Sequence, residues 1–379
     1  MPHQLNAEQE MIRLMARDFA RKELEPYAAE RDREGIFPLD VVKKMGDLGF
    51  LGMMVPPEYG GAGAGAVSYC LAVQEIAYSC ASTAVTMSVA NLSTEPLLKF
   101  GDESQKRRYL ERLARGELLG CFALTEPGAG SDPGSLRLRA EDRGDHFLLN
   151  GTKVFITHGA YADVVNLIAR TGPDKGNKGL SAFIVERGTP GFRVGATEKK
   201  MGLRASNTVE LVFEDCKVPR ENLVGRPGLG FTIAMTALDS GRIGIASQAT
   251  GIARACLDEA VAYARQRRQF GRTIGSFQAI QWMIADMATS IEASHLLTLE
   301  AARSKDLGLP FTSQASMAKL FASETANKAA YHCLQIHGGY GYTMDFKVER
   351  LYRDAQATTI YEGTSEIQRL VIARRFLKE

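Results

Sequence analysis

The hydrophobic positions of this 379-residue chain change their spacing twice. From residue 1 to about 118 they recur at helical intervals and predict helices over 7–30, 39–48, 66–80 and 102–115. Breaks fall at Pro26, Pro56-Pro57, the glycine run 60–65 and Pro96. No strand precedes that glycine run, so it predicts a flexible turn and not a cofactor loop. Asn6 and Gln9 form a capping pair for the first helix, whose apolar stripe is Met11, Leu14, Met15 and Phe19.

Between about 119 and 228 the pattern switches to short strands. The run 146–149, then Asn150-Gly151, then 153–156 predicts a hairpin, because Asn-Gly accepts positive φ at both turn positions. Residues 164–169, 180–185 and 208–213 supply further strands. With no helices between them, they predict an antiparallel barrel or sandwich. From about 229, long helices return over 230–268, 276–306, 312–337 and 363–377, with Met283, Met287, Ile291 and Leu297 among the apolar positions. They predict an antiparallel four-helix bundle. The expected fold is therefore α+β, mostly α, in three domains: 1–118, 119–228 and 229–379.

Composition narrows the function. Lys plus Arg (46) nearly balances Asp plus Glu (44), which gives no global signal for nucleic acid or an anionic membrane. Six scattered cysteines read as buried free thiols in a reducing compartment, and neither they nor the six unclustered histidines show metal-ligand spacing, so no metal site is expected. No segment approaches the ~18 uninterrupted apolar residues of a membrane-spanning helix. The N-terminus shows neither a signal core nor a transit-peptide composition. A bacterial cytoplasmic protein is the simplest expectation, with a processed mitochondrial matrix protein as the alternative.

Two segments carry candidate chemistry. In Ile360-Tyr361-Glu362-Gly363-Thr364-Ser365-Glu366, a carboxylate precedes a glycine and a helix start. Such a carboxylate can project into a pocket as a general base while the backbone at Gly363 lies against a flat ligand. The loop Leu124-Thr125-Glu126-Pro127-Gly128-Ala129-Gly130-Ser131-Asp132 can set backbone N–H groups against phosphate or ring oxygens. It has no P-loop lysine and opens no βαβ unit, so neither standard nucleotide fingerprint applies.

Together these segments resemble the acyl-CoA dehydrogenase family, as do residues 150–159, 238–242, 267–272, 335–342 and 353–355 in the family's order. The resemblance implies FAD-dependent α,β-dehydrogenation of an acyl-CoA to the trans-2-enoyl-CoA. Such chemistry needs a carboxylate tuned toward neutrality, donors for the thioester oxygen and a hydride acceptor that no side chain provides. By resemblance Glu362 takes the α-proton, hydride passes to flavin N5, and electrons leave to electron-transferring flavoprotein. Other members carry the base directly before an arginine, where this chain has Gly241 before Arg242. Phe122, Leu124, Thr125, Gly130 and Ser131 would line the flavin, with Phe155, Ile156 and Thr157 on its other side. Arg267 and Phe270 would reach a neighbouring subunit's FAD. Gln278, Gln335, Ile336, His337, Gly338, Gly339, Thr364, Ser365 and Glu366 would complete the adenosine site. Ser131, Asp239, Arg242 and Gly363 would meet the acyl-CoA, and Gln248 and Thr358 would close its deep end.

Phe155 stands where most members have tryptophan, and His158 where asparagine is common. The run Gly241 to Gln248 resembles the short-chain members, so butyryl-CoA-like substrates are expected first and branched short-chain acyl-CoA second. The glutaryl type is disfavoured, since its arginine falls at about Ala84. A homotetramer sharing FAD across subunits is also implied. An acyl-CoA oxidase or flavin monooxygenase on the same scaffold is an alternative, to be revealed by peroxide release. From another class, a non-catalytic CoA-binding or assembly protein would have lost the base or the flavin loop.

Overall fold

The computed structural model describes residues 4–172 and 176–377. Six helices come first: α1 (Ala7–Phe19), α2 (Ala28–Glu34), α3 (Leu39–Asp47), α4 (Gly65–Ser79), α5 (Ala81–Phe100) and α6 (Glu103–Ala114). Asn6 and Gln9 do cap α1 reciprocally, through bonds of 2.8 and 3.0 Å. Its buried face, however, is Ile12, Ala16 and Phe19, and the expected Met11, Leu14 and Met15 are exposed. The cause lies next door, because α1 packs on α4 through Glu75, which is buried and draws in Arg13, Arg17 and Arg254 at 3.4, 3.9 and 3.1 Å. Those arginines fix which side of α1 turns inward.

Pro96 does not break the chain as expected; it lies inside α5. That helix is buried on all sides from Ala81 to Leu97, so tertiary packing outweighs the proline's lost hydrogen bond. The Ser93 carbonyl, three residues before the proline, is satisfied by Asn166 Nδ2 at 2.9 Å.

The middle section is a sheet of β1 (Gly120–Ala123), β2 (Arg139–Asp142), β3 (His146–Thr157), β4 (Val164–Arg170), β5 (Leu180–Glu186), β6 (Phe192–Thr197), β7 (Thr208–Pro219) and β8 (Leu223–Val224). The order is β6-β7-β3-β2-β4-β5-β8, with β1 added beside β4. Most pairs are antiparallel, but β1 and β2 both pair in parallel with β4, so the sheet is mixed where a purely antiparallel one is expected. Asn150-Gly151 is not a hairpin turn, since β3 continues through it as a bulge against β7. Gly151 alone takes positive φ (145°), while Asn150 stays paired with Arg139 and exchanges side-chain bonds with Asp215 at 2.8 and 3.1 Å. A two-residue turn needs both residues there, and the cross-strand Asn150–Asp215 bonds hold one of them extended.

The third section holds α7 (Gly230–Gln266), the two-stranded ribbon β9 (Arg268–Gln269) and β10 (Arg272–Thr273), then α8 (Gln278–Asp306), α9 (Thr312–His337), α10 (Lys347–Ala357) and α11 (Ser365–Leu377). Gly251 of α7 permits a close approach to α4, as a Cβ there would stand 2.4 Å from the Gln74 carbonyl. The main buried cluster runs without interruption from α1, α3, α4 and α5 into α7, α8, α9 and α10. The sheet keeps a separate core around Phe147, Phe183, Leu211 and Phe213. A third cluster, joining Leu97, Tyr109, Val164, Ile184 and Ile233, glues the sheet to the helices. The 353–355 motif is a clasp between these bodies: Arg353 pairs with Asp32 at 2.6 Å, and Asp354 accepts from Leu203 N at 2.6 Å.

Candidate active site

After α10 the chain turns so that Ser365 N donates to Thr359 O at 3.0 Å, and α11 begins. Glu362 and Gly363 fall in this turn with φ of 54° and 88°. Left-handed backbone is strained for glutamate and must be held by its surroundings. Gln368 Nε2 donates to the carbonyls of Glu362 and Gly363 at 3.0 and 2.9 Å, and Lys319 Nζ donates to Gly363 O at 2.7 Å. The carboxyl is thereby aimed at α7, where a Cβ on Gly241 would lie only 2.5 Å from Glu362 Oε2. That oxygen is buried and has no hydrogen-bond partner. Burial pushes the Glu362 carboxyl up to about 7, against the opposing pull of Arg242 and Lys319. A carboxyl with a free lone pair and a neutral-range pKa is equipped to take a proton from a weak carbon acid.

Of the expected substrate residues, Asp239, Arg242, Gln248 and Gly363 surround this chamber. Arg242 is buried and spans Asp239 at 2.6 Å and Ser316 at 3.3 Å, while Thr312 donates to the other Asp239 oxygen at 2.5 Å. Gln248, two turns farther along α7, bridges the Tyr361 hydroxyl and, at 2.9 Å, the Ala81 carbonyl. Thr358 is buried, and its hydroxyl donates back to Ala355 O at 2.6 Å. Ser131 is exposed on the glycine loop, away from these contacts.

The loop from Phe122 to Ser131 is braced from below. Lys153, fully buried, donates to Leu124 O and Glu126 Oε1, both at 2.8 Å. Glu126 also accepts from the backbone N–H groups of Arg137 and Leu138 at 2.6 and 3.0 Å. Val154 N donates to Thr125 O at 2.9 Å, which joins the loop to the Phe155–Thr157 stretch. Phe155 has φ of 58° and is exposed, and Leu238 of α7 packs with Phe122 and Leu124 on one cluster. His158 is buried and neutral, since burial pushes it down to about 4.

Arg267, Phe270, Gln278, Gln335, Ile336, Gly338 and Gly339 gather elsewhere, at the far end of the bundle. The Arg267 guanidinium lies 5.5 Å over the Tyr340 ring, and His337 stacks on Tyr263 at 4.1 Å. Phe270 and Gly271 form the ribbon turn with φ of 51° and 75°, presenting a phenyl ring that is 91% exposed. Along α7, Arg267 is 26 residues beyond Gly241, about 39 Å at helical rise. The expected adenosine residues thus split: Thr364, Ser365 and Glu366 stand beside Glu362, and the others do not.

Residues 6–117, 121–216 and 228–377 match the sequence patterns of the acyl-CoA dehydrogenase N-terminal, middle and C-terminal domains, respectively. The chain belongs to the acyl-CoA dehydrogenase family. It is 52% identical over 370 residues to the mitochondrial short-chain specific acyl-CoA dehydrogenase of Mus musculus, across 97% of this chain and 90% of that one. The butyryl-CoA dehydrogenase structure from Megasphaera elsdenii matches with a TM-score of 0.98 and 44% identity, over 100% of both chains. A chain in a structure of the electron transferring flavoprotein of Acidaminococcus fermentans matches with a TM-score of 0.98 and 47% identity, again over 100% of both.

For an acyl-CoA dehydrogenase, several residues around the chamber escape a reading of the sequence. Lys319 sits in an unremarkable helical run, although it holds the Glu362 turn and burial pushes its amine down to about 8. Tyr69 of α4 and Ser88 of α5 look like core positions of apolar helices. The glycine at 244 was the available signal, for a small residue in α7 three places after Gly241 marks something pressed against the helix. That something is the Tyr69 hydroxyl, 2.4 Å from where a Cβ would be.

Proposed function

We propose that this enzyme dehydrogenates a short-chain acyl-CoA between C2 and C3 with FAD, Glu362 being the base. The observation that carries this reading is the buried, partnerless Glu362 Oε2, on a carboxyl raised to about 7 and facing the gap left by Gly241. Glu362 would receive the α-proton on Oε2. The Gly363 turn, pinned by Gln368 and Lys319, keeps the carboxylate from swinging away as charge develops. The backbone N–H of Glu362 would serve the thioester oxygen.

The residues present fit a flavin. Cβ atoms at Gly128, Gly130, Gly338 and Gly339 would meet nothing within 4 Å, so these four leave open backbone against which a ligand can lie. Phe122, Leu124, Thr125, Gly130 and Ser131, with Phe155, Ile156 and Thr157, would hold the ring system. When bound, the flavin supplies the hydride acceptor that side chains lack. Arg267, Phe270, Gln278, Gln335, Ile336, Gly338 and Gly339 lie too far along the bundle to serve the same molecule, so we assign them to a neighbouring subunit's FAD in a homotetramer. Electron-transferring flavoprotein is the proposed acceptor.

The nucleotide end of the substrate would occupy a cleft of about 910 Å³ lined by Asp132, Arg137, Arg139 and Asn177. The start of α7 packs on this region, Gly230 against Ser181, eleven residues before Gly241. That is about 16 Å of helix, a fit for a pantetheine arm reaching Glu362. The three sections 1–118, 119–228 and 229–379 are proposed as its domains, and the six buried thiols suit a reducing compartment such as a bacterial cytoplasm.

Anaerobic titration with butyryl-CoA, followed by flavin absorbance, tests the reading. Bleaching in the wild type and none in a Glu362→Gln variant that retains FAD is the expected result. A flavin-loaded wild type that no short-chain acyl-CoA bleaches would overturn it.

A further inference from the structure

A saturated acyl chain needs only apolar neighbours, yet α4 and α5 set polar atoms against α7 beside Gly241 and Gly244. On α5, Ser88, Leu92 and Glu95 follow one another at helical spacing and share a face. Ser88 is 4% exposed and Glu95 2%. Ser88 Oγ and Glu95 Oε2 both lack hydrogen-bond partners. Such atoms, dry and unpaired, destabilise the fold unless a ligand completes them.

Their surroundings place them at the acyl chain. A Cβ at Gly244 would stand 2.4 Å from Tyr69 Oη and 3.2 Å from Ser88 Oγ, so both hydroxyls press on α7 there. Gly241, which faces Glu362, is three residues earlier, about 4.5 Å along the helix. Glu95 approaches from the same side: its Oε1 pairs with Lys305, whose Nζ also bonds Ser240 Oγ at 2.8 Å and Met54 Sδ at 3.2 Å. Lys305 is therefore fully engaged, and Glu95 keeps one acceptor oxygen free. The Tyr69 phenol is pushed up by burial, is drawn back by nearby Ser88, and feels both Glu362 and Glu95.

We propose that this chamber receives a short acyl thioester carrying a hydroxyl on its fourth carbon, which donates to Glu95 and accepts from Ser88 or Tyr69. The assignment rests on the dehydrogenase reading and names its substrate class. A fourth carbon is two bonds from the one Glu362 deprotonates, and its oxygen three, which matches the helical offset from Gly241 to Gly244. The hydroxyl is recognised and takes no part in the chemistry. Tyr69 against Gly244 then ends the chamber, with the Gln248–Tyr361 pair sealed behind it.

The test compares 4-hydroxybutyryl-CoA with butyryl-CoA on the FAD-loaded wild type, Ser88→Ala and Tyr69→Phe. The kcat/KM ratio of the hydroxylated to the plain substrate should exceed one in the wild type. It should fall about tenfold in each variant, because the loss is confined to the hydroxyl. Calorimetry on FAD-loaded Glu362→Gln should likewise show tighter binding of the hydroxylated thioester. Equal binding, or a ratio that neither variant moves, overturns the proposal while bleaching by butyryl-CoA leaves the dehydrogenase reading standing. Flavin that neither thioester bleaches overturns both.

Discussion

Gly241→Ala introduces one methyl group on α7 directly against the Glu362 carboxyl. The new carbon would sit 2.5 Å from Glu362 Oε2 and 2.9 Å from its Cδ. Comfortable contact begins near 3.5 Å, so the carboxyl must retreat by about 1 Å. It cannot do so by moving its backbone, which Gln368 and Lys319 hold through the Glu362 and Gly363 carbonyls. Displacement of a reacting group by that distance costs about 100-fold in rate, or about 2.7 kcal/mol of barrier. The assay is single-turnover flavin bleaching by butyryl-CoA, with FAD content and Tm measured alongside. The expectation is a bleaching rate down about 100-fold in a protein that keeps its flavin and melts near the wild-type temperature. A rate within twofold of wild type would mean that Glu362 does not act from the position facing Gly241.

Other outcomes follow from neighbouring contacts. Because the base must be ionised, kcat/KM should rise with pH through about 7, and Lys319→Met, which removes a charge favouring the carboxylate, should move that midpoint upward; an unmoved midpoint in a stopped-flow pH series counts against the assignment. The raised Glu362 carboxyl favours the folded state when protonated, so its contribution fades as pH climbs from the ordinary carboxylate range through about 7. Glu362→Gln should accordingly raise Tm more at pH 8 than at pH 5, read by calorimetry. Lys153→Met leaves the buried Glu126 carboxylate without its cation and should cost about 3–5 kcal/mol in denaturant unfolding, with weaker FAD retention. Phe270→Ala, at a ring that is 91% exposed, should leave subunit folding intact but lower the molecular mass by light scattering and speed FAD loss.

Much of this was legible before the structure. Helical spacing, then short strands, then long helices gave the architecture, because each face that packs on a core leaves its period in the sequence. Glu362 stood out as a candidate because a carboxylate precedes a glycine and a helix start, while its role as the base is what the family resemblance implies. The failures share a cause, which is tertiary context overriding a local signal. Pro96 is tolerated because α5 is enclosed on every side. Asn150 is held extended by a partner 65 residues away, Asp215, so its turn propensity is never expressed. The helix α10 went unpredicted although its anchors, Arg353 and Asp354, had been singled out as a motif; their partners Asp32 and Leu203 are far off in sequence. Tyr69, Ser88 and Glu95 were invisible for the complementary reason, since a polar residue on a wholly buried helix betrays no face.

The buried cluster that passes from the first helices directly into the last ones has a consequence for the making of the protein. Translation delivers α4 and α5 early, but α7, the helix that packs on both, begins only at Gly230. In the interval the whole sheet emerges, with its own core around Phe147 and Phe183. The sheet can condense by itself, while the faces of α4 and α5 that α7 buries must wait for the ribosome to deliver the bundle. A nascent chain that has emerged to about residue 229 would therefore carry the whole sheet, β1 to β8, beside two helices that still lack α7. Holdase chaperones should be found on it there, on α4 and α5.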